Sequence, residues 1–282
     1  MLVIILLIGV AIVGYPAFSE YWNSLHQSRA IMGYAERVAE LDNEQYEVIW
    51  DAAMKFNREL LERHNRWYFD DEVLDDYESQ LNVDTTGNMG YISIPKIGVS
   101  LPIYHGVEEN VLQHAIGHIL GTSLPSGSLH DNEEDFSQVA FASHSVLSGH
   151  RGLPSAKLFS DLDVMEEGDL FYLIILDQTL TYQVDKITVI EPDDLSEMEI
   201  IPGRDLCTLM TCTPYGINTH RLLVRGSRIE SEKEKLNVRV TADALKIEPM
   251  YVAPFIAVPV LILMVFWVMI MTGHSKRRKT GR

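Results

Sequence analysis

Residues 208–226 read TLMTCTPYGINTHRLLVRG, and this stretch decides the fold. The pattern predicts a strand over 206–212, which Pro214 and Gly216 end, and a second strand that begins at Arg221. If the two strands pair in antiparallel fashion, the guanidinium of Arg221 lies near the end of the first strand. There it could donate hydrogen bonds to a developing oxyanion or hold a substrate carbonyl, since its fork of donors stays charged. An arginine that begins a strand is, however, more often a surface residue.

The sequence contains two cysteines, Cys207 and Cys212, within the first of these strands. Five residues at about 3.3 Å each separate them by roughly 16 Å, which is too far for a disulfide. Because side chains alternate along a strand, Cys212 shares a face with Thr208 and Met210, whereas Cys207 shares the other face with Leu209. We therefore expect Cys207 to be a small core residue. Cys212, at the strand end, is the candidate nucleophile of an exported chain.

A cysteine nucleophile needs a base or a cationic neighbour, because a thiol with an ordinary pKa near 8.5 is mostly protonated at neutral pH. Among ten histidines, His150 is the strongest candidate, since it lies between glycines in SGHRGLP, residues 148–154. Glycines let the backbone turn sharply and expose the ring. His144 and His220 are the alternatives. A structural histidine is expected at His144, within or at the end of the preceding strand, and alternation turns His220 away from the face of Arg221.

The rest of the central region consists of short strand-like runs broken by glycine and proline, which is typical of an antiparallel barrel or sandwich. The runs cover 90–95, 100–104, 138–143, 170–176, 180–184, 188–190, 206–212 and 221–224. Before them, apolar residues recur at helical spacing and predict a helical lead-in over 19–66; they are Tyr46, Ile49, Trp50, Ala53, Phe56 and Leu60.

Both ends of the chain are apolar. Residues 251–272 carry no charge and would cross a hydrocarbon core of about 30 Å as a helix. The tail 273–282 is basic and should stay in the cytoplasm, which places the preceding chain outside, with 231–250 as a juxtamembrane linker. Residues 1–18 are also uncharged. They form either a retained anchor, favoured because a basic start is missing, or a signal cleaved near Ala17-Phe18-Ser19.

The formal net charge is −17, from 40 acidic and 23 basic residues among 282. Nucleic-acid phosphates would repel so acidic a chain, so we expect an ectodomain that does not bind DNA or RNA. The acidic residues are dense in the loop-like stretch 65–88, after the aromatic residues Trp67, Tyr68 and Phe69. This stretch is either a solvated acidic loop or a functional loop.

The motifs around Cys212 and His150 resemble the signature of sortases, and in detail that of class C, the pilus-assembling sortases of Gram-positive bacteria. The similarity includes MGYISIPKIGVSLPIYHG at 89–106, GHILGTSLP at 117–125 and residues 154–162, and it covers most of 85–230. Hydrophobic segments at both termini also match the class C layout.

The resemblance implies a closed eight-stranded β-barrel over 89–230, with the cysteine ending the seventh strand and the arginine on the eighth. Cys212 would attack the Thr–Gly carbonyl of an LPXTG-like sorting signal, with His150 as general acid/base and Arg221 steadying substrate or oxyanion. A lysine of the next pilin would resolve the thioacyl enzyme without any metal or organic cofactor. The enzyme would sit in the cell membrane, multi-pass or single-pass if the N-terminus is cleaved, with its catalytic domain outside.

One feature departs from the family pattern. Class C sortases carry a lid anchored by an Asp-Pro-aromatic triplet, whereas residues 67–72 read WYFDDE without proline. Asp70 with Trp67 or Phe69 could substitute in a lid over 67–88, and we expect a looser or differently anchored lid. Two other functions stay open: a sortase that anchors proteins to cell-wall peptidoglycan, and a non-catalytic module that binds pilins through a degenerate barrel.

Overall fold

The computed structural model describes residues 2–127 and 142–229, with side chains from residue 4 onward. Within these residues two compact units are distinguished, 2–21 and 22–229. The predicted linker 231–250, the membrane segment 251–272 and the basic tail 273–282 lie outside the described residues, as does most of the predicted strand over 138–143.

The first helix, α1, runs over Leu2–Glu40 and supplies all of the first unit. Its segment Ile4–Glu40 has a mean hydropathy of 1.7 in its most apolar window, and none of that window is buried. By length and composition it could cross a membrane, as the apolar N-terminus predicts; in the described part of the chain it is the one helix that meets this test. In the second unit, Tyr34 of α1 is buried and its hydroxyl donates to the carbonyl oxygen of Met89 at 2.9 Å.

Helix α2, Asn43–Glu62, occupies the remaining part of the predicted helical lead-in. Asp42 caps its first turn in a capping box: its side chain accepts from the backbone N–H of Gln45, whose side chain accepts from the N–H of Asp42. The stripe predicted from the sequence is the face that Ala53, Phe56 and others bury against the barrel.

A third helix, α3, forms over Asp71–Ser79. The prediction of an irregular loop over 65–88 is therefore wrong for these residues. Asp70 explains the difference, because its carboxylate accepts from the backbone N–H of Val73 at 3.0 Å and thus caps the helix. Acidic residues in the first turn add favourable interaction with the helix dipole.

Eight strands close into a barrel in the order β1-β2-β3-β4-β7-β8-β6-β5, which confirms the predicted architecture. Neighbouring strands are antiparallel except β2 with β3 and β4 with β7, which are parallel. The predicted runs 180–184 and 188–190 belong to one strand, β6, with a register shift between Val184 and Lys186. The strands are β1 Asn88–Ile94, β2 Val99–His105, β3 Ile116–His118, β4 Ala142–Ser148, β5 Leu170–Ile175, β6 Gln178–Ile190, β7 Arg204–Thr213 and β8 His220–Arg228. A short helix, α4 (Glu109–Leu112), connects β2 and β3.

Two hydrophobic clusters lie on opposite faces of β7. The main core contains Cys207 and Leu209, together with residues from the other strands and from α2 and α3. The second cluster lies on the other face. Its buried members are Val146, Ile190, Met198 and Leu223, and the partly buried Trp67, Ile119 and Met210 pack against them. The face that carries Met210 is also the face of Cys212, because these residues are two apart on one strand.

Candidate active site

Cys212 and Arg221 are direct partners across β7 and β8. Directly opposed residues in an antiparallel pair have Cβ atoms about 4.5–5.5 Å apart, so the guanidinium and the sulfur leave the sheet side by side. Cys212 is half-buried. Cys207 is fully buried, and burial raises the pKa of its thiol well above the ordinary value. Both cysteines are free, as expected, and strand parity correctly separated the accessible one from the core one.

The loop that carries His150 runs beside the strand that carries Cys212. The parallel pairing of β4 with β7 sets Ser148 opposite Met210, and His150 and Cys212 each follow two residues further along their chains. Two hydrogen bonds extend this alignment beyond the strand: the N–H of Gly149 donates to the carbonyl of Met210 at 3.0 Å, and the hydroxyl of Thr211 donates to the carbonyl of Gly149 at 2.7 Å.

Gly149 permits this close approach. A Cβ at this position would come within 2.8 Å of the ring of Phe159, and 3.0 Å of a methyl carbon of Ile116. The backbone N–H of Phe159 in turn donates to the carbonyl of His150 at 3.1 Å, which closes the histidine loop on itself. The Nε2 atom of His150 lies 3.5 Å from a carboxylate oxygen of Glu109 on α4 and makes no hydrogen bond within the described residues.

The two alternative histidines occupy other environments. His144 is buried, with Nδ1 2.8 Å from the carbonyl of Glu199 and Nε2 2.7 Å from the hydroxyl of Thr208, and burial lowers its pKa to about 4. It is a structural histidine with both nitrogens satisfied, as the sequence predicted. His220 pairs with Thr213, one position away from the Arg221 pair, and so points to the opposite side of the sheet.

Arg221 is available for a ligand. Its guanidinium donates to the carbonyl of its neighbour His220 at 3.2 Å. Across residues 4–127 and 142–229, no carboxylate lies within 4.0 Å of it. A half-buried arginine without a counter-ion leaves several N–H donors free beside the sulfur, which suits a group that binds a carbonyl or an oxyanion. The same residues contain no group of three side chains that could hold a metal ion.

A sortase domain family model matches residues 92–229. The solved structure of sortase C1 from Streptococcus agalactiae is 50% identical, with a TM-score of 0.66, and the match covers 72% of this chain and 100% of that one. The chain belongs to the sortase family. A Clostridium perfringens sortase C, solved with the C-terminal cell wall sorting motif, is 37% identical with a TM-score of 0.59, covering 72% of this chain and 98% of that one.

These class C neighbours confirm the resemblance drawn from the motifs. A more distant relative, sortase A of Bacillus anthracis, is 24% identical over 234 residues, which are 83% of this chain and 95% of that protein. Sortases are cysteine transpeptidases, so the family fits a half-buried free cysteine paired with an arginine.

The three residues predicted for the lid take different places in this sortase. Trp67 packs on the second cluster beside Met210, and its ring lies so close to Gly121 that an added Cβ would be 2.5 Å away. The guanidinium of Arg66 stacks on the Trp67 ring with a centroid distance of 5.0 Å. Asp70 caps α3 and is exposed, and Phe69 is partly buried. Of the three predicted lid residues, Trp67 is thus the one that packs on the cluster at the Met210 face of β7.

The anchor of α3 is a contact that the sequence did not reveal. Tyr77 is buried, and its hydroxyl lies 2.9 Å from Nδ1 of His118 and accepts from the N–H of Gly106 at 3.1 Å. Burial raises the pKa of Tyr77 and lowers the pKa of His118 to about 3. The sequence held one signal of this contact: Tyr77 is the large aromatic residue in the otherwise polar run DDYES.

A second missed residue is Arg151, which was quoted within its motif without a role. Its side chain is 9% exposed, pairs with Asp163 and donates to the hydroxyl of Thr213 at 3.3 Å. The guanidinium also lies 5.8 Å from the centroid of the Tyr215 ring. The contacts with Thr213 and Tyr215 join segments more than 60 residues apart, so no local pattern could have predicted them.

Proposed function

We propose that this sortase cleaves an LPXTG-like sorting signal between threonine and glycine through a thioacyl intermediate on Cys212, and joins the acyl group to a lysine of a pilin subunit. The observation that carries the proposal is the direct pairing of Cys212 with Arg221, beside the loop of His150. A nucleophile, a proton carrier and a fixed cation are the groups that acyl transfer requires.

In the first half-reaction, the thiol proton of Cys212 passes to His150 and the thiolate attacks the threonine carbonyl carbon. The carbonyl π electrons move onto oxygen, and Arg221 donates hydrogen bonds to the resulting oxyanion. When the carbonyl re-forms, the bond to the glycine nitrogen breaks. His150 returns its proton to that nitrogen, so the glycine fragment leaves as a neutral amine and the acyl group stays on sulfur.

In the second half-reaction, a lysine amine attacks the thioacyl carbon. His150 accepts the proton that the amine loses, and the thiolate of Cys212 departs as the isopeptide bond forms. If water replaces the amine, the product is a free carboxylic acid, which is the slow hydrolysis expected as a side reaction. The resemblance to class C sortases supports lysine as the acceptor.

The proposed location is the cell membrane, with the barrel on its outer face. Helix α1 supports an N-terminal anchor, since its apolar window is unburied and long enough to cross a bilayer. Residues 251–272 and the basic tail would provide a second crossing, which makes the protein multi-pass if α1 is retained.

Cell-wall anchoring is the second candidate function, because the chain is also similar to a sortase A. The amine that accepts the acyl group distinguishes it from pilus polymerisation. The test incubates the full chain in detergent with a pilin subunit that carries an LPXTG-like signal, with and without peptidoglycan precursor. The proposal expects ladders that resist SDS, and their loss when the acceptor lysine of the pilin is replaced by arginine. A product that forms only with peptidoglycan precursor would overturn it in favour of anchoring.

Comparing the parent protein with a Cys212→Ala variant separates both enzyme functions from the non-catalytic pilin-binding module. The enzyme functions expect covalent product from the parent and none from the variant, which should still bind the pilin; a non-catalytic module forms none with either. Full product formation by this variant would contradict catalysis by Cys212.

A further inference from the structure

We propose that Arg151 is a positioning residue that fixes the relative placement of the three catalytic side chains. This inference rests on the proposed function, because it concerns how Cys212, His150 and Arg221 are held together. Arg151 reaches the segments of all three: it follows His150 directly, it binds the residue after Cys212, and it stacks on the loop that leads to Arg221.

The first contact joins the histidine loop to the end of the cysteine strand. Nη1 of Arg151 donates to the hydroxyl of Thr213 at 3.3 Å. Since His150 and Cys212 are the immediate chain neighbours of these two residues, the hydrogen bond ties together the two segments that carry the proposed reacting groups. The other terminal nitrogen of the guanidinium, Nη2, forms an ion pair with Asp163, whose side chain is partly exposed.

The second contact joins the histidine loop to the β7–β8 connection. The guanidinium of Arg151 stacks 5.8 Å from the Tyr215 ring centroid, and the next residue, Gly152, packs on the same ring. A Cβ on Gly152 would come within 2.7 Å of that ring, and the residue has a φ of +77°, so this packing needs glycine. Tyr215 stays 64% exposed with these contacts in place, and they link the histidine loop to the connection that carries Arg221 into β8.

Stability alone does not account for an arginine at this position. The side chain is 9% exposed and its Nε–H is buried without a hydrogen-bond partner among the described residues. Burying a charged group with an unsatisfied donor opposes folding. The planar guanidinium binds Asp163 and Thr213 at the same time and lies against the Tyr215 ring. Neither lysine nor methionine could reproduce this set of contacts.

The test compares Arg151→Lys and Arg151→Met with a matched control, Arg204→Met, in the full chain in detergent. Arg204 is also a partly buried arginine in an ion pair, with Asp185, but it lies at the opposite end of β7 from Cys212. Transpeptidation of a sorting-signal peptide gives kcat and KM. The rate of Cys212 alkylation by iodoacetamide between pH 5 and pH 9 gives the pH profile of the nucleophile.

Arg151→Met is expected to lower kcat about 100-fold with KM within about twofold, since a displacement of the order of 1 Å between reacting groups costs about that much. Its alkylation profile should move towards that of His150→Ala, and adding Arg151→Met to His150→Ala should change little. Arg151→Lys should recover part of kcat. Arg204→Met should lower the melting temperature without changing kcat.

The positioning role is refuted if Arg151→Met keeps kcat within twofold of the parent, or loses it with an unchanged alkylation profile. Failure of the proposed chemistry gives a different result, because the parent protein would then not cleave the sorting-signal peptide, or Cys212→Ala would still cleave it. If Cys212→Ala is inactive and Arg151→Met is fully active, only the inference about Arg151 is wrong.

Discussion

Acidification from pH 7 to pH 5 should lower the free energy of unfolding of the barrel by roughly 4 kcal/mol through two buried histidines. Burial lowers the pKa of His118 to about 3 and of His144 to about 4, against an ordinary value of 6.5. Between these values the unfolded chain binds a proton that the folded chain does not, so stability falls as the pH falls. Each histidine contributes about 2 kcal/mol over this interval.

Urea unfolding followed by circular dichroism at pH 7, 6 and 5 measures this loss. His144→Gln should be less stable than the parent at pH 7 but should lose only about half as much stability on acidification, because one titrating group is gone. Asn57→Ala is the matched control, since this buried side chain bonds to Leu124 and Ser126 and does not titrate. A parent protein with equal stability at pH 7 and pH 5 would refute the assignment of both histidines as buried and neutral.

Two further substitutions test Arg221 and Trp67, which are proposed to assist and to cover Cys212. Arg221→Lys should lower kcat by about 100-fold with the fold intact, because the loss of an oxyanion donor costs that order of activity; a change below threefold would contradict its role. Gly121→Ala should displace Trp67 and raise the rate of Cys212 alkylation, since its Cβ would come 2.5 Å from the ring. Gly168→Ala is the control, with a similar φ of +96° and nothing within 4 Å; equal alkylation rates in the two variants would show that Trp67 does not cover the site.

The different burial of the two cysteines was predictable because it depends on local geometry. Alternation along one strand is enough to separate Cys212 from Cys207, and the short β7–β8 connection makes the pairing with Arg221 predictable. Burial then follows from the face that each side chain occupies. This part of the site needed no knowledge of the rest of the chain.

The placement of His150 could not be predicted in the same way. It depends on the parallel pairing of β4 with β7, which joins residues 62 apart through Ser148 and Met210. No periodicity in the sequence encodes which distant strands become neighbours. The flanking glycines made His150 the strongest candidate and the motif resemblance supported it, and the register of the barrel gives the physical reason for its position.

Helix α3 was missed for a related reason. Its nine residues have few apolar positions, so a helical stripe is hard to recognise before the partner is known. The helix forms because Asp70 caps it and because Tyr77 reaches His118 and Gly106 in the barrel. Tertiary contacts thus determine that this segment is helical, because its local helix propensity is weak.

The most direct test of the central claim is the intact mass of the protein after brief incubation with a sorting-signal peptide and rapid acid quench. The account predicts an added mass equal to the peptide up to its threonine minus one water, located on Cys212 by fragment mapping and removed by hydroxylamine. The Cys212→Ala variant should show no such adduct. An adduct on Cys207, or peptide cleavage by the Cys212→Ala variant, would contradict it.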